Sequence, residues 1–306
     1  MNGYQTLVEK AREYGNSGQW NECIGCYEDA FNYYQDEILI GDLLDLALAY
    51  VEIKDKEKGY SIIQDVIEYD GDISIAYHYL GYYYLKINEA ALALQAFLNA
   101  KELGDDSVEC YFNIGLLYDE AEEYDKAVEY YKKVLDKDEN NFYANLNLGA
   151  IFQQENKLEE SYQLVSRIKK LYPDMHLVNY NLGVLYGLWK DYEKARECYY
   201  EELTKENFCK DAYYNLAIIY KDIDKDYLKA KELYLKGLED NKDDFKCWYN
   251  LGCIHCLLDD FDSACDSFYC AYLINNKVIK YISEDEELVV FRNSKAYENL
   301  KNKIEL

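Results

Sequence analysis

Proline is almost missing from this chain, with Pro173 the single one in 306 residues. So few breakers leave the chain free to run as one helix after another. Long hydrophobic runs are missing too: nowhere do about eighteen apolar residues follow one another, so no segment reads as a membrane-spanning helix. The start, Met1-Asn2-Gly3-Tyr4-Gln5-Thr6-Leu7-Val8-Glu9-Lys10, has no basic stretch followed by an apolar one, and a secretory signal is not expected. Ten cysteines without such a signal point to a reducing compartment, so the expected location is cytoplasmic. Positive charge is scarce, with 33 Lys and Arg against 59 Asp and Glu, a net charge of −26 and a pI near 4.5. That excess repels phosphate backbones and anionic membranes, which argues against a direct nucleic-acid partner. It can also steer a basic protein or peptide toward the surface. Signatures of catalysis are absent. The three histidines, His78, His176 and His255, lie far apart in sequence, none is in an HExxH, and there is no GxSxG or phosphate-binding glycine loop. No enzyme activity, cofactor or metal is expected.

What the chain has is repetition. Tyr111-Phe112-Asn113-Ile114-Gly115-Leu116-Leu117-Tyr118, followed by Ala127 and Tyr131, returns as Tyr213-Tyr214-Asn215-Leu216-Ala217-Ile218-Ile219-Tyr220, followed by Ala230 and Tyr234. With the Leu-Gly pair as positions seven and eight, units begin at Tyr4, Ile40, Ser74, Val108, Phe142, His176, Lys210 and Phe245. The spacing is 34, apart from 36 after the first unit and 35 after the seventh. Position eight reads Ala11, Ala47, Gly81, Gly115, Gly149, Gly183, Ala217 and Gly252, and position eleven is aromatic until His255. Position twenty is small in every unit. Small residues let two helices approach, and aromatics fill the space beside them, so most of the 36 tyrosines are architecture.

This period and residue order resemble the tetratricopeptide repeat, a helix-turn-helix unit. The resemblance implies an all-α fold: an α-solenoid of eight units forming a right-handed superhelix over residues 1–278, with each unit contacting its neighbours. Pro173, at position thirty-two, fits the end of a second helix. Residues 279–306 have apolar residues at helical spacing without a Leu-Gly pair and look like the capping helix that ends many bacterial arrays. Leu288, Phe291, Tyr297 and Leu300 would cover the last repeat, and no further domain is expected at either end.

In the family, positions two, five, six, nine and twelve of the first helices line a groove. Position six reads Glu9, Asp45 and Tyr79, then Asn113, Asn147, Asn181, Asn215 and Asn250. A carboxamide donates and accepts at once, so this ladder suits the main chain of an extended peptide. Beside it, position five of the same units supplies Phe112, Leu146, Tyr180, Tyr214 and Tyr249 for apolar contact. The expected function is a protein-protein interaction scaffold, the ladder restricting the site to the last five repeats. Replacing Asn147, Asn181 and Asn215 by Ala is then expected to weaken partner binding while leaving thermal stability nearly unchanged. The cation set that grips chaperone tails is missing, since groove positions of the second and third units read Gly41, Leu44, Asp45, Leu48 and Ile75, His78, Tyr79, Tyr82.

Two other readings remain open. A regulatory receptor could sense a small peptide by closing its superhelix, although such receptors usually carry an output domain. A thiol or metal protein could use Cys253 and Cys256, but zinc would need two more ligands on that face. Cys23-Ile24-Gly25-Cys26 is weaker, because Cys23 fills position twenty. Asp222-Ile223-Asp224-Lys225-Asp226 imitates a calcium loop without its glycine or its final Glu, as Tyr227 and Leu233 stand there, and reads as a turn lengthened by one residue.

Overall fold

The computed structural model describes residues 3–305, and among them there are helices and turns but no strand. The chain divides into two units, Met1–Ile151 and Phe152–Leu306. In the first, helices pair as α1 (Gly3–Asn16) with α2 (Trp20–Tyr33), α3 (Ile40–Glu52) with α4 (Lys56–Tyr69), α5 (Ser74–Lys86) with α6 (Ala90–Glu102), and α7 (Val108–Glu120) with α8 (Tyr124–Lys137). The division falls inside α9 (Phe142–Gln154). The second unit continues with α10 (Leu158–Leu171), α11 (Val178–Leu188), α12 (Tyr192–Glu202), α13 (Asp211–Ile219), α14 (Tyr227–Asp240), α15 (Phe245–Leu257) and α16 (Phe261–Ile274). Here α11 pairs with α12, α13 with α14, and α15 with α16.

One turn design joins the two helices of every repeat. Position fifteen has positive φ in Gly18, Lys54, Asn88, Glu122, Asn156, Lys190 and Asp259. The next residue sends its N–H back to the carbonyl of position eleven, as in Gln19 to Tyr14 at 2.9 Å and Asp191 to Tyr186 at 2.9 Å. That bond satisfies a carbonyl orphaned at the helix end. In the seventh repeat the left-handed residue is Lys225, one place later, and Tyr220–Asp224 forms a single π turn. The extra residue is therefore absorbed by the end of the first helix, and Asp226 still reaches the Tyr220 carbonyl at 2.9 Å. The aspartate after the left-handed residue then caps the second helix: Asp55, Asp191 and Asp260 at position sixteen, and Asp226 one place later, each accept from an N–H three residues on.

Packing inside a repeat follows position eight. A Cβ on Gly81 would lie 2.7 Å from the Phe97 ring, on Gly183 2.5 Å from Tyr199, and on Gly252 2.6 Å from Phe268. The glycine is the space for the ring. In the second repeat the close approach is reversed, since a Cβ on Gly59 of α4 would sit 2.7 Å from the Ala47 carbonyl oxygen of α3.

The sixth repeat starts late. Leu177 takes φ +70° and α11 begins at Val178, two residues after the sequence register places it. Glu202, fully buried where other repeats carry Ala, Val, Ile or Gly, explains the loop: its Oε1 accepts from Leu177 N at 2.7 Å and Cys209 N at 3.1 Å. The closing segment comprises three short helices, α17 (Val278–Glu284), α18 (Val289–Arg292) and α19 (Lys295–Glu305), with a 3-10 turn at Glu286–Leu288. Leu288, Phe291 and Leu300 are buried against Cys253, Cys265 and Phe268, and Tyr297 is partly buried with them. No described helix is long and apolar enough to cross a membrane.

Candidate functional site

The position-six side chains reach backwards to the preceding repeat. Asn147 donates from Nδ2 to the Tyr131 hydroxyl at 3.1 Å, and Asn250 to the Tyr214 hydroxyl at 3.2 Å. Asn113 lies within hydrogen-bonding reach of the Tyr82 hydroxyl, and Asn215 of those of Tyr180 and Tyr199. Asn181 takes a long bond, 3.5 Å, at Oδ1 from Gln153 Nε2. The same relation holds where position six is not asparagine: Tyr27 donates to Asp45 at 3.2 Å, and Tyr79 to Asp45 at 2.5 Å. Position six is thus a polar strut between neighbouring repeats, a packing role that the groove reading alone did not assign. Asn113 and Asn181 are buried, whereas Asn147, Asn215 and Asn250 retain partial exposure and spare hydrogen-bonding capacity.

The position-five stripe is uneven. Leu146 is buried, so it supports the face from within; Phe112, Tyr180, Tyr214 and Tyr249 are half-buried. Burial drives the Tyr180 hydroxyl up to about 12, so it stays protonated at neutral pH. Tyr249 is committed to the closing segment, donating to Asp285 at 2.6 Å with Tyr281 edge-on at 6.3 Å. Position two adds an aromatic that the stripe omitted: Tyr143, 52% exposed, lies 6.1 Å from Phe112.

Within the second unit these residues border a cavity of about 410 Å³, lined by Tyr180, Asp211, Tyr214, Asn215, Asn241, Asp243, Asp244, Phe245 and Lys246. Asp244 is occupied as a helix cap, accepting from Lys246 N at 2.9 Å and Cys247 N at 3.1 Å. Asp211 and Asp243 add carboxylates to the same wall. The site therefore offers two tyrosine rings, carboxamides and three carboxylates, with Lys246 as one basic residue in the lining. Sequence reasoning found the rings and the Asn215 carboxamide but not the carboxylates, because Asp211 opens the first helix of one repeat and Asp243 lies in the loop before the next.

Cys253 is buried and Cys256 half-buried. Burial pushes both thiols up to about 12, with Asp285 adding to the effect, and Lys221 only partly opposes it at Cys253. His255 between them is buried, and the loss of water lowers its pKa.

Three segments, 108–141, 177–201 and 233–266, match family models described as tetratricopeptide repeat. No curated protein matches the chain in sequence. Among solved structures, one chain of the APC/C hetero-tetramer Cut9-Hcn1 is similar with a TM-score of 0.65 at 16% identity, over 93% of this chain and 57% of that one. This chain thus spans 57% of that relative's length. Pseudomonas aeruginosa pilF has a TM-score of 0.57 at 21% identity, over 70% of this chain and 99% of its own. A tetratricopeptide repeat protein from Parabacteroides merdae has a TM-score of 0.55 at 16% identity, over 95% of this chain and 99% of its own. At these identities the structural likeness shows a shared fold alone. Paired helices at the repeat period, a repeated left-handed turn and the family matches agree, and the chain is a tetratricopeptide-repeat protein.

Proposed function

We propose that this protein is a non-enzymatic interaction scaffold whose first-helix face holds an extended, basic protein or peptide segment. Tetratricopeptide repeats mediate protein-protein interaction as a family, and proteins of this fold are typically scaffolds without catalysis. The observation that carries the finer reading is the cavity beside Tyr180, Tyr214 and Asn215, where Asp211 and Asp243 stand next to aromatic walls. A lysine or arginine stem packs on a tyrosine ring while its charge meets a carboxylate. Asn215 supports the peptide main chain beside it, and the net charge of −26 favours approach of a cation from solution. The first unit repeats the apolar part of the theme with Phe112 and Tyr143, next to Asn147.

A random peptide library selected on the immobilised full chain tests the reading. Enriched peptides are expected to carry Lys or Arg in an extended context, to bind more weakly as salt is raised, and to be lost from Asp211→Asn/Asp243→Asn. Equal enrichment on that variant, or none on the wild type, defeats it.

A further inference from the structure

The fold assembles a cluster that the repeat pattern conceals. His78 on α5, Asp105 in the link after α6 and Cys110 in the first turn of α7 place one ligand atom each within 4.8 Å of one another. His78 Nδ1 lies 2.5 Å from Asp105 Oδ2, and both residues line a cavity of about 400 Å³ with Tyr79, Tyr82, Ser107 and Glu109. Cys110 closes the cluster from behind, fully buried. The three donors are imidazole nitrogen, carboxylate oxygen and sulfur, a mixed set that suits a borderline-soft divalent ion.

The surroundings hold each donor in place. The His78 ring is fixed by Tyr82 at 5.0 Å and by an edge-on contact with Phe97 at 5.4 Å. Asp105 uses its other oxygen, Oδ1, to accept from Ser107 N at 3.0 Å, so its rotation is restricted while Oδ2 stays directed at His78. Cys110 follows the Ser107 cap, which accepts from Cys110 N at 3.1 Å and fixes the turn that carries the thiol. Second-layer bonds of this type orient metal ligands. Metal-ligand bonds of about 2.0 to 2.3 Å in a tetrahedral site put donor atoms about 3.2 to 3.8 Å apart. To reach that geometry the donor atoms must shift by up to about an ångström from their positions in the cluster, His78 Nδ1 and Asp105 Oδ2 moving apart.

We propose that His78 Nδ1, an Asp105 carboxylate oxygen and Cys110 Sγ form a three-ligand site for a divalent transition metal of the zinc type, its fourth position open to the adjoining cavity. On binding, the thiol proton leaves to solvent and the thiolate coordinates. The ligands come from the third and fourth repeats, so the metal cross-links adjacent repeats within the first unit. Its open position faces the cavity, where water or a donor group from a bound partner completes the coordination.

The test titrates the full chain with Co2+ as a spectroscopic probe, followed by displacement with Zn2+. One equivalent is expected to produce an ultraviolet thiolate-to-cobalt band with the visible bands of tetrahedral coordination, and Zn2+ to abolish both and raise the melting temperature. Cys110→Ser should remove the ultraviolet band, and His78→Ala should weaken binding by at least ~100-fold. Asp105→Asn, which keeps the acceptor for Ser107 N, serves as a ligand variant that retains the loop and should lose affinity even if Cys110→Ser misfolds. Cys253→Ser/Cys256→Ser should leave the spectrum unchanged. No thiolate band, a band that disappears with Cys253 and Cys256 instead, or affinity unchanged in Asp105→Asn and His78→Ala would overturn the site.

Discussion

Asn147 of the fifth repeat donates to the Tyr131 hydroxyl of the fourth at 3.1 Å, although Tyr131 is itself fully buried. The Tyr131 hydroxyl accepts from Asn147 and donates to Asp119 Oδ2 at 3.4 Å, so one buried group couples two repeats. Removing either partner should cost about 1 kcal/mol. Asn147→Ala and Tyr131→Phe should each lower the urea midpoint, and the double variant should cost less than the sum by about 0.5–1 kcal/mol. Additive losses would show that the bond carries no coupling. This bond gives Asn147 a structural share that the expectation of nearly unchanged thermal stability does not include.

Glycine at position eight is a steric requirement where a ring faces it. Gly183→Ala drives a methyl to 2.5 Å from the Tyr199 ring and should destabilise by about 1–3 kcal/mol. Gly25→Ala, a helical position with nothing within 4 Å of the new Cβ, should be neutral or stabilise by up to about 1 kcal/mol. Thermal melts of the two variants side by side check the contrast.

His255 fills the aromatic slot of the eighth repeat, and its pKa lies below the ordinary 6.5 because burial disfavours the charged ring; Lys231 adds to this and Asp260 opposes it. The folded state thus binds the proton less readily than the unfolded chain. The contribution to stability is complete above pH 6.5 and is lost as pH falls through the folded value. His255→Tyr, restoring the residue type found at this position in most repeats, should make the melting temperature fall less between pH 8 and pH 5. A parallel fall in both proteins would remove His255 from the acid response.

Phe291 seals the last repeat, with its ring 5.1 Å from Phe268 and 5.7 Å from Tyr297 and no exposed surface. Phe291→Ala should cost about 3–5 kcal/mol locally. Because repeats contact only their neighbours, hydrogen exchange should accelerate in α15 to α19 and stay unchanged in α1 to α4. Uniform acceleration along the chain would argue for one cooperative unit.

The register was legible in the sequence because each position of the repeat meets the same surroundings in every copy. Gly81, Gly183 and Gly252 face rings for one reason, and the turn residues from Gly18 to Asp259 share one backbone state. The seventh repeat announced its extra residue as a spacing of 35, but only the backbone showed that a π turn at Tyr220–Asp224 absorbs it. Likewise, Glu202 looked like one more acidic residue on a helix. Its burial is offset by Lys205 Nζ at 3.2 Å and by two loop N–H groups, Leu177 and Cys209, that sequence spacing does not bring together.

For the first-helix face, the sequence by itself determined the helices, the phase of the repeats and which columns of residues share a face, since helical periodicity and local turn chemistry set these within a few residues. Tertiary structure decided which members of those columns are occupied. It turned Asn147 toward Tyr131, buried Leu146 and tied Tyr249 to Asp285, leaving Tyr143, Tyr180 and Tyr214 with the exposed share. It also brought His78 to Asp105 and Cys110, and Asp211 to Asp243. Asn147 with Tyr131 and Cys110 with His78 join neighbouring repeats, while His78 with Asp105 and Asp211 with Asp243 join the two ends of one repeat; all depend on how one helix pair stacks on the next, a relation that the period of 34 does not encode.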